Sequence, residues 1–383
     1  MHVCRAMTTG LYEVRTYLAG NRTARVLFCF QQQYMGSISP PEVHCVFQLV
    51  DFGMTNTSAV HELLHAHGGP LFHAQIRTQP EDFQVTEALG WEPSGDGEHD
   101  FLWIQKTGAN TEWVAQRLAE FANVPLSDVG FSGMKDRHAV TQQWFSVPRW
   151  HKPNWTEFVA EGVEVLRVER HLRKLRRGAH DANQFRIVLR FGELIDANAV
   201  AQQIEAIKTL GVPNYYGEQR FGREGGNLGL AEAWAKGKRL SRNKRSLAIS
   251  SIRSHLFNQA LGERVGAGTW NQLIEGDKAN LQGSKSVFEI TEIDAELIDR
   301  CAHMDIHPAL PLAGEGSGIE PAHWQKALDK ARVAPDSRSL RLKVNNLQAS
   351  FDENALTLSF SLGTGAFATS VLRELCTWSQ PSV

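Results

Sequence analysis

Alternation of apolar and polar residues marks several strands along the chain. Phe83-Gln-Val-Thr-Glu87 and Gln184–Phe191 each place every second side chain on an apolar face, Ala355–Leu362 does so most cleanly, and Phe101-Leu-Trp-Ile-Gln105 reads as a further strand. Helical spacing separates them. Thr111 is placed to cap a helix carrying Val114, Leu118 and Phe121 on one side, and Ala199–Leu210 aligns Ile204, Ile207 and Leu210. A Gly, Pro and Asp-rich turn is expected over Gly90–Glu98, and a helix over Thr369–Trp378 after the Gly-rich turn. No repeat of fixed period is present. Residues 1–53 show no sustained period, so they read as a poorly ordered extension or the product of an upstream start codon. A targeting or partner-binding arm is the functional alternative. Met54 then opens a segment with helical spacing.

Composition narrows the classes. Of 383 residues, 42% are apolar and 21% charged, enough for a sizeable core and against disorder, collagen or a disulfide-stapled mini-protein. Forty basic against 42 acidic residues leave a formal charge of −2, so any polyanion-binding surface must be local. The five cysteines are odd in number, widely spaced and without a CxxC pair, which fits a reducing compartment and argues against a thiolate zinc site. No apolar run is long enough to cross a bilayer, and no signal peptide is evident, so the expected location is cytoplasmic, with no membrane partner. Protein partners are not indicated.

Several short patterns suggest chemistry. His61-Glu62-x-x-His65 matches a zinc-hydrolase pattern, but Gly68-Gly69-Pro70 ends any helix and Leu71 stands where a third histidine would. Ser132-x-x-Lys135 and Lys106-Thr-Gly108 resemble penicillin-recognising motifs in reversed order, without the third element. A P-loop is missing, so no nucleotide cofactor is expected, and no metal either. The window Gly130–Trp144 sets Asp136 between Lys135 and Arg137, beside His138. Adjacent cations favour an ionised carboxylate, which can act as a nucleophile or stabilise positive charge at a sugar anomeric carbon. From composition alone, a solvated charged turn is the simpler reading. Basic tracts at Arg167–Arg177 and Lys236–Arg245, and aromatic residues beside amides at Asn183-x-Phe185, Asn214-Tyr-Tyr216 with Gln219-Arg-Phe221, and Phe367, add features suited to RNA phosphates and unstacked bases. Singly, each of these aromatics is as readily core as ligand.

Together the motifs resemble the TruD family, the tRNA pseudouridine synthases D. Ser132-Gly-Met-Lys-Asp-Arg-His-Ala-Val-Thr-Gln-Gln-Trp144 resembles the family signature, and Gly211-Val-Pro-Asn-Tyr-Tyr-Gly-Glu-Gln-Arg-Phe-Gly222 a second one. Pro80–Glu87, Lys174-Leu-Arg with Asn183-Gln-Phe185, and Phe360–Leu375 are similar to three more, in the family's order from about residue 70 to 376. Departures are Tyr216 for a usual Phe, Gly363 for a usual Pro, and Arg77 where lysine is frequent; residues 1–53 have no counterpart. The resemblance implies an α+β fold: a pseudouridine synthase core with a mixed, largely antiparallel sheet flanked by helices, plus an inserted α/β TRUD domain. The core would comprise residues 54–210 and 342–383, the insertion 211–341, with the basic tracts lining the cleft between the two lobes. It implies isomerisation of a tRNA uridine, at position thirteen, without a cofactor. Asp136 matches the catalytic aspartate, and Phe83, Asn183 and Phe367 match residues lining the uridine pocket. Arg77, Glu87, Lys135, Arg137, His138, Lys174, Phe185, Gln219 and Arg220 are supporting or RNA-contacting candidates, with Lys135, Arg137 and Lys174 candidates for orienting the carboxylate. A noncatalytic RNA-binding or RNA-folding module on the same scaffold is the alternative.

Overall fold

The computed structural model describes residues 63–222 and 225–381, all within one compact unit, Val60–Val383. The expected extension over residues 1–53, and His61 and Glu62 of the zinc-like pattern, lie outside the described residues. Chain order begins β1 (Phe72–Gln75), β2 (Phe83–Ala88), β3 (His99–Thr107), α1 (Thr111–Ala122), β4 (Gly130–Phe131), β5 (Val140–Pro148), β6 (Val163–His171), β7 (Ala182–Arg190) and α2 (Ala197–Leu210). It continues with β8 (Val212–Pro213), α3 (Gly226–Ala235), α4 (Arg242–Gly266), β9 (Lys278–Leu281), β10 (Val287–Glu289), α5 (Ala295–Ala302), β11 (Ile306–Leu312), α6 (Ala322–Lys330) and β12 (Asp336–Ser339). It ends with β13 (Arg341–Leu342), β14 (Asn345–Asp352), β15 (Ala355–Gly363), α7 (Ala368–Leu372) and β16 (Cys376–Ser379).

The main sheet runs β14-β15-β7-β2-β5-β3-β6, with β1, β16 and β4 attached; β2–β5 and β1–β16 are parallel and the other pairs antiparallel. The mixed α+β architecture is thus the one anticipated. One face of this sheet is covered in two halves. On β3 and β5, Leu102, Ile104, Phe145 and Val147 pack under Val114, Ala115 and Leu118 of α1. On β7 and β15, Ile187, Leu189, Leu356 and Leu358 pack under Val200, Ile204 and Ile207 of α2 and Val371 and Leu372 of α7. Between the halves the inward positions turn polar: Lys106, Thr141, Gln143 and Glu87 are all buried. Alternation puts them there. Lys106 follows Leu102 and Ile104, and Glu87 follows Phe83 and Val85, at every second residue.

The chain leaves this layer through β8 and returns through β13, which pair antiparallel. Gly211, at φ 76°, makes the crossing possible: a Cβ there would lie 2.5 Å from the Leu342 carbonyl oxygen. Between the crossings, β10-β9-β11-β12 form an antiparallel sheet, and Ala231 of α3, Ala248 and Ile252 of α4 and Leu328 of α6 share a core. Among the described residues no helix is long and apolar enough to cross a membrane.

Several elements depart from expectation. Residues 63–70, the described part of the segment opened by Met54, form no helix; Ala66 and His67 donate backbone N–H groups to the buried Glu374 carboxylate at 2.9 and 3.1 Å. Asn110, not Thr111, stands at the N-cap position of the helix, without a side-chain capping bond, and the Thr111 hydroxyl is spent on the sheet instead. Phe121 and Leu210 stand at the margins of their helices, 37% and 40% exposed. The C-terminal helix stops at Leu372, because Cys376–Ser379 pairs in parallel with Phe72–Gln75. A partner strand outweighs local propensity there. The basic tract Arg167–Arg177 is an edge strand followed by a loop.

That basic loop is pinned beneath β4. A Cβ on Gly130 would meet the Leu175 carbonyl at 2.4 Å and the Ser146 hydroxyl at 2.5 Å. Gly130→Ala is expected to destabilise the protein by about 1–3 kcal/mol through overpacking against backbone. Urea unfolding of the variant measures this; unchanged stability would mean that the loop does not seat on Gly130.

Candidate active site

The loop Ser132–His138 crosses the polar seam and takes its shape from it. The Thr111 hydroxyl donates to Gln143 Oε1 (3.1 Å) and accepts from the Lys135 backbone N–H (3.0 Å). Gln143 Nε2 donates to the Gly133 carbonyl at 3.2 Å. Lys106 Nζ, fully buried, donates to the carbonyls of Ala109 and Asp136, both at 2.8 Å. Burial pushes the Lys106 ammonium down to about 8; Asp136 opposes that shift and Lys135 adds to it. Its two acceptors are neutral carbonyls, so Lys106 serves as a tether between strand and loop. Buried backbone groups left without such partners would each cost on the order of 1–3 kcal/mol, so these bonds decide the loop conformation.

Three successive side chains leave the loop in different directions. Met134 is 55% exposed. Lys135 turns inward and pairs with Glu87 Oε2 at 2.8 Å, both groups almost without solvent. Asp136 Oδ1 accepts the His138 backbone N–H at 3.0 Å, and Oδ2 pairs with the Arg77 guanidinium. Arg77 lies 4.2 Å from the centre of the Phe83 ring and has its backbone at φ 57°, in the left-handed region. Burial pulls the Arg77 guanidinium down and Asp136 holds it up. Phe83 meets Phe185 edge to face at 6.4 Å, and Phe185 stacks on Phe360 at 5.3 Å. The result is a carboxylate, 28% exposed, held by one cation at the edge of an aromatic platform.

A second chain of bonds runs behind it. Ser132 donates to Glu87 Oε2 at 2.7 Å and lies 2.9 Å from His180 Nδ1; His180 Nε2 lies 3.2 Å from Asn183 Nδ2. An amide nitrogen only donates, so Nε2 is the acceptor and Nδ1 carries the proton, the neutral tautomer. Burial, then Lys135, lower the His180 pKa, in keeping with that assignment. The remaining Asn183 atom, Oδ1, is buried without a partner. Asn183 is two residues from Phe185 on β7, on the same sheet face, which spaces them by about 7 Å.

The other sequence candidates sit elsewhere. Lys174 donates to the Ser127 carbonyl, Arg137 donates to the Gly108 carbonyl at 3.1 Å, and the His138 side chain is exposed. Of the cations considered, then, Arg77 reaches the Asp136 carboxylate, while Lys135, Arg137 and Lys174 are engaged with other groups. Phe367 packs with the cluster that contains Tyr215, Tyr216 and Phe257. Asn214 and Tyr216 are core groups: Asn214 binds Arg338, whose guanidinium lies 4.0 Å from the Tyr216 ring, and Arg220 lies 5.3 Å from it. Gln219 is exposed on the short turn Glu218–Phe221. His65 lies 3.9 Å from Glu374, and among the described residues no group of three His, Cys, Asp or Glu side chains is arranged to hold a metal ion. Lys106, Thr111, Gln143 and His180 are the supporting residues that sequence reasoning missed. For Lys106 and Gln143 the signal was a polar residue at an inward strand position; Thr111, at the start of α1, and His180, in the loop before β7, carry no such signal.

Lys135→Met leaves the Glu87 carboxylate buried without its cation and is expected to cost about 3–5 kcal/mol. Adding Glu87→Gln should restore part of that loss, because the uncompensated charge disappears. A double-mutant cycle by urea unfolding measures the coupling, and additive effects would refute it.

A family model described as tRNA pseudouridine synthase D (TruD) matches residues 63–231 and 230–375. The chain is 43% identical to the Methylococcus capsulatus protein named tRNA pseudouridine synthase D over 333 residues, covering 82% of this chain and 94% of that protein. It is 43% identical over 331 residues to the Aeromonas hydrophila protein of the same name, covering 82% and 94%. A crystal structure from Methanosarcina mazei, provisionally named tRNA pseudouridine synthase D (TruD), shares the fold at a TM-score of 0.60 and 19% identity, covering 81% of this chain and 95% of that one.

Proposed function

Because the chain belongs to the tRNA pseudouridine synthase D (TruD) family, we propose that it isomerises the uridine at position thirteen of tRNA to pseudouridine in the cytoplasm, with Asp136 as the catalytic carboxylate. Residues 63–210 and 342–381 form the proposed catalytic lobe, and 211–341 the inserted one. The observation that carries the reading is the single cation on Asp136: Arg77 holds the carboxylate at the edge of the Phe83–Phe185 platform while leaving part of it open.

The reaction breaks N1–C1′, turns the base and forms C5–C1′; the hydrogen on C5 leaves as a proton and N1 gains one. It is neither a redox step nor a hydrolysis. Positive charge grows at C1′ as N1 departs, and an ionised carboxylate there stabilises it or bonds to it. The base must first leave the RNA stack, and the aromatic platform takes the place of its neighbours. Asn183 Oδ1 supplies an acceptor that the protein leaves unused, suited to the N3–H of uracil.

Asp136→Asn is expected to lower tritium release from tRNA transcripts made with 5-tritiated uridine by about 10³-fold or more, with tRNA affinity within about threefold. Substantial turnover by the variant would remove Asp136 from the chemistry. Tight, salt-dependent binding without tritium release by the unaltered protein would instead support the noncatalytic RNA-binding module.

Protonating His180 would turn Nε2 into a donor and force the Asn183 amide to rotate, taking Oδ1 away from the base. The folded-state pKa lies below the unfolded value of about 6.5. The unfolded chain therefore takes up the proton first, and stability falls as pH drops below that value, whereas kcat/KM falls at lower pH, as the lowered folded-state pKa is passed. Gln at this position can accept from Asn183 and donate to Ser132 without titrating. His180→Gln should abolish this acid limb, which lies below about pH 6.5, and keep activity near neutrality. A pH profile unchanged by His180→Gln would overturn the assignment.

A further inference from the structure

A cavity of about 1100 Å³ opens beside the Ser132–His138 loop. Its apolar surface comes from Trp113, Leu126 and Met134, which are 36%, 51% and 55% exposed. Aliphatic and aromatic groups left open together in this way mark binding surfaces. Its other rim is the basic loop, with Arg176 and Arg177; Arg177 lies 3.6 Å from the Phe131 ring, and Arg176 forms no ion pair among the described residues. Glu112 stands on the opposite wall, at the start of α1. The basic loop is fixed to the site: Gly178 donates its N–H to the Ser132 carbonyl at 2.7 Å, and Leu175 donates to the Ser146 hydroxyl at 2.8 Å.

Met134 ties this cavity to the reacting carboxylate. It is two residues before Asp136, a span of at most about 7 Å, and Lys135 between them points into the core. A chain of nucleotides that places one base at Asp136 therefore brings a neighbour to the cavity mouth. Flat apolar surface beside guanidinium groups fits a stacked base with its phosphate. Removing one base from a stack also strips its neighbours of a partner, so a slot for a neighbour recovers what flipping loses.

We propose that this cavity receives an unstacked base flanking the target uridine, its ring against Trp113 and Met134 and its phosphate toward Arg176 and Arg177. The inference rests on the tRNA isomerase reading above and names a further subsite of that substrate.

The test is tritium release from tRNA transcripts under steady-state and single-turnover conditions. Trp113→Ala is expected to raise KM between about 5- and 100-fold, the range for loss of one stacked base, with the single-turnover rate at saturation little changed. Trp113→Phe should restore KM to within about threefold, because a smaller ring still stacks. Transcripts abasic at each position flanking the target then locate the base: at one position, the abasic loss and the Trp113→Ala loss should fail to multiply. Arg176→Ala should reduce the slope of log affinity against log salt by about 0.7–0.9. Independent, multiplying effects at every flanking position, or an unchanged KM in Trp113→Ala, would overturn the subsite while leaving the isomerase reading intact. Absence of release by the unaltered protein would count against the isomerase reading itself and, with it, against the subsite.

Discussion

A carboxylate and an ammonium buried together under a loop fix the geometry around Asp136. Glu87 and Lys135 meet at 2.8 Å with almost no access to solvent. Such a pair adds little net stability, because desolvating both ions offsets their attraction. Its contribution is to conformation. Lys135 can reach Glu87 only if the loop brings Met134 outward and sends Asp136 toward Arg77. Glu87 also accepts from Ser132 and from the Trp144 backbone, so one carboxylate ties the start and the middle of the loop to β5. Any other loop conformation would leave a charge stranded in a low-dielectric interior, a penalty of several kcal/mol.

The seam around that pair follows from how the sheet is covered. Two helix-backed apolar clusters bury the two halves of one face, and neither reaches across β2 and β5. A gap filled by apolar side chains would have closed the surface. Filling it with Lys106, Gln143 and Glu87 instead gives groups that the loop meets with the Asp136 and Gly133 carbonyls and the Ser132 and Lys135 side chains, while Thr141 Oγ1 is left without a partner. The loop is therefore recruited by unmet hydrogen bonds, not by hydrophobic burial. Local strain is concentrated here as well: Arg77, a residue with a Cβ, holds a left-handed backbone, at a cost of about 1 kcal/mol. The cation on Asp136 comes from a different part of the chain than the motif that carries the carboxylate.

This division explains what was legible in the sequence. The strand Ala355–Gly363, with strict alternation, was readable because one face is buried along nearly its whole length. The loop residues were readable as a motif but not as partners. Lys135, Arg137 and Lys174 are nearer to Asp136 in motif than Arg77, yet sheet geometry brings Arg77, from the turn after β1, to the carboxylate. Lys106 and Glu87 carried a usable signal, since each continues an inward apolar parity with a charge, and such a position demands a buried partner. The C-terminal strand was not legible: Leu372, Leu375 and Trp378 keep helical spacing, and only the distant β1 edge converts the segment. Asn214 and Tyr216 show the converse. Their composition suits base recognition, but Arg338 binds Asn214 and Phe257 packs against Tyr216 in a buried cluster.

The same seam links base recognition to the carboxylate. Asn183, His180, Ser132 and Glu87 form an unbroken run of hydrogen bonds, and Lys135 continues it into the loop that carries Asp136. Each member has one compatible proton placement once Lys135 is charged: Ser132 donates to Glu87, His180 donates to Ser132, and Asn183 donates to His180. That ordering leaves the Asn183 oxygen as the free end. An enzyme that detaches a base and must rejoin it through a different atom has to hold the base by contacts that survive the turn. A lone acceptor set by a rigid chain, above an aromatic platform without directional preference, meets that demand. In the proposed reaction, a half-turn of uracil about its N3–C6 axis would exchange N1 and C5 while N3–H keeps that acceptor and the Asp136 carboxylate stays fixed.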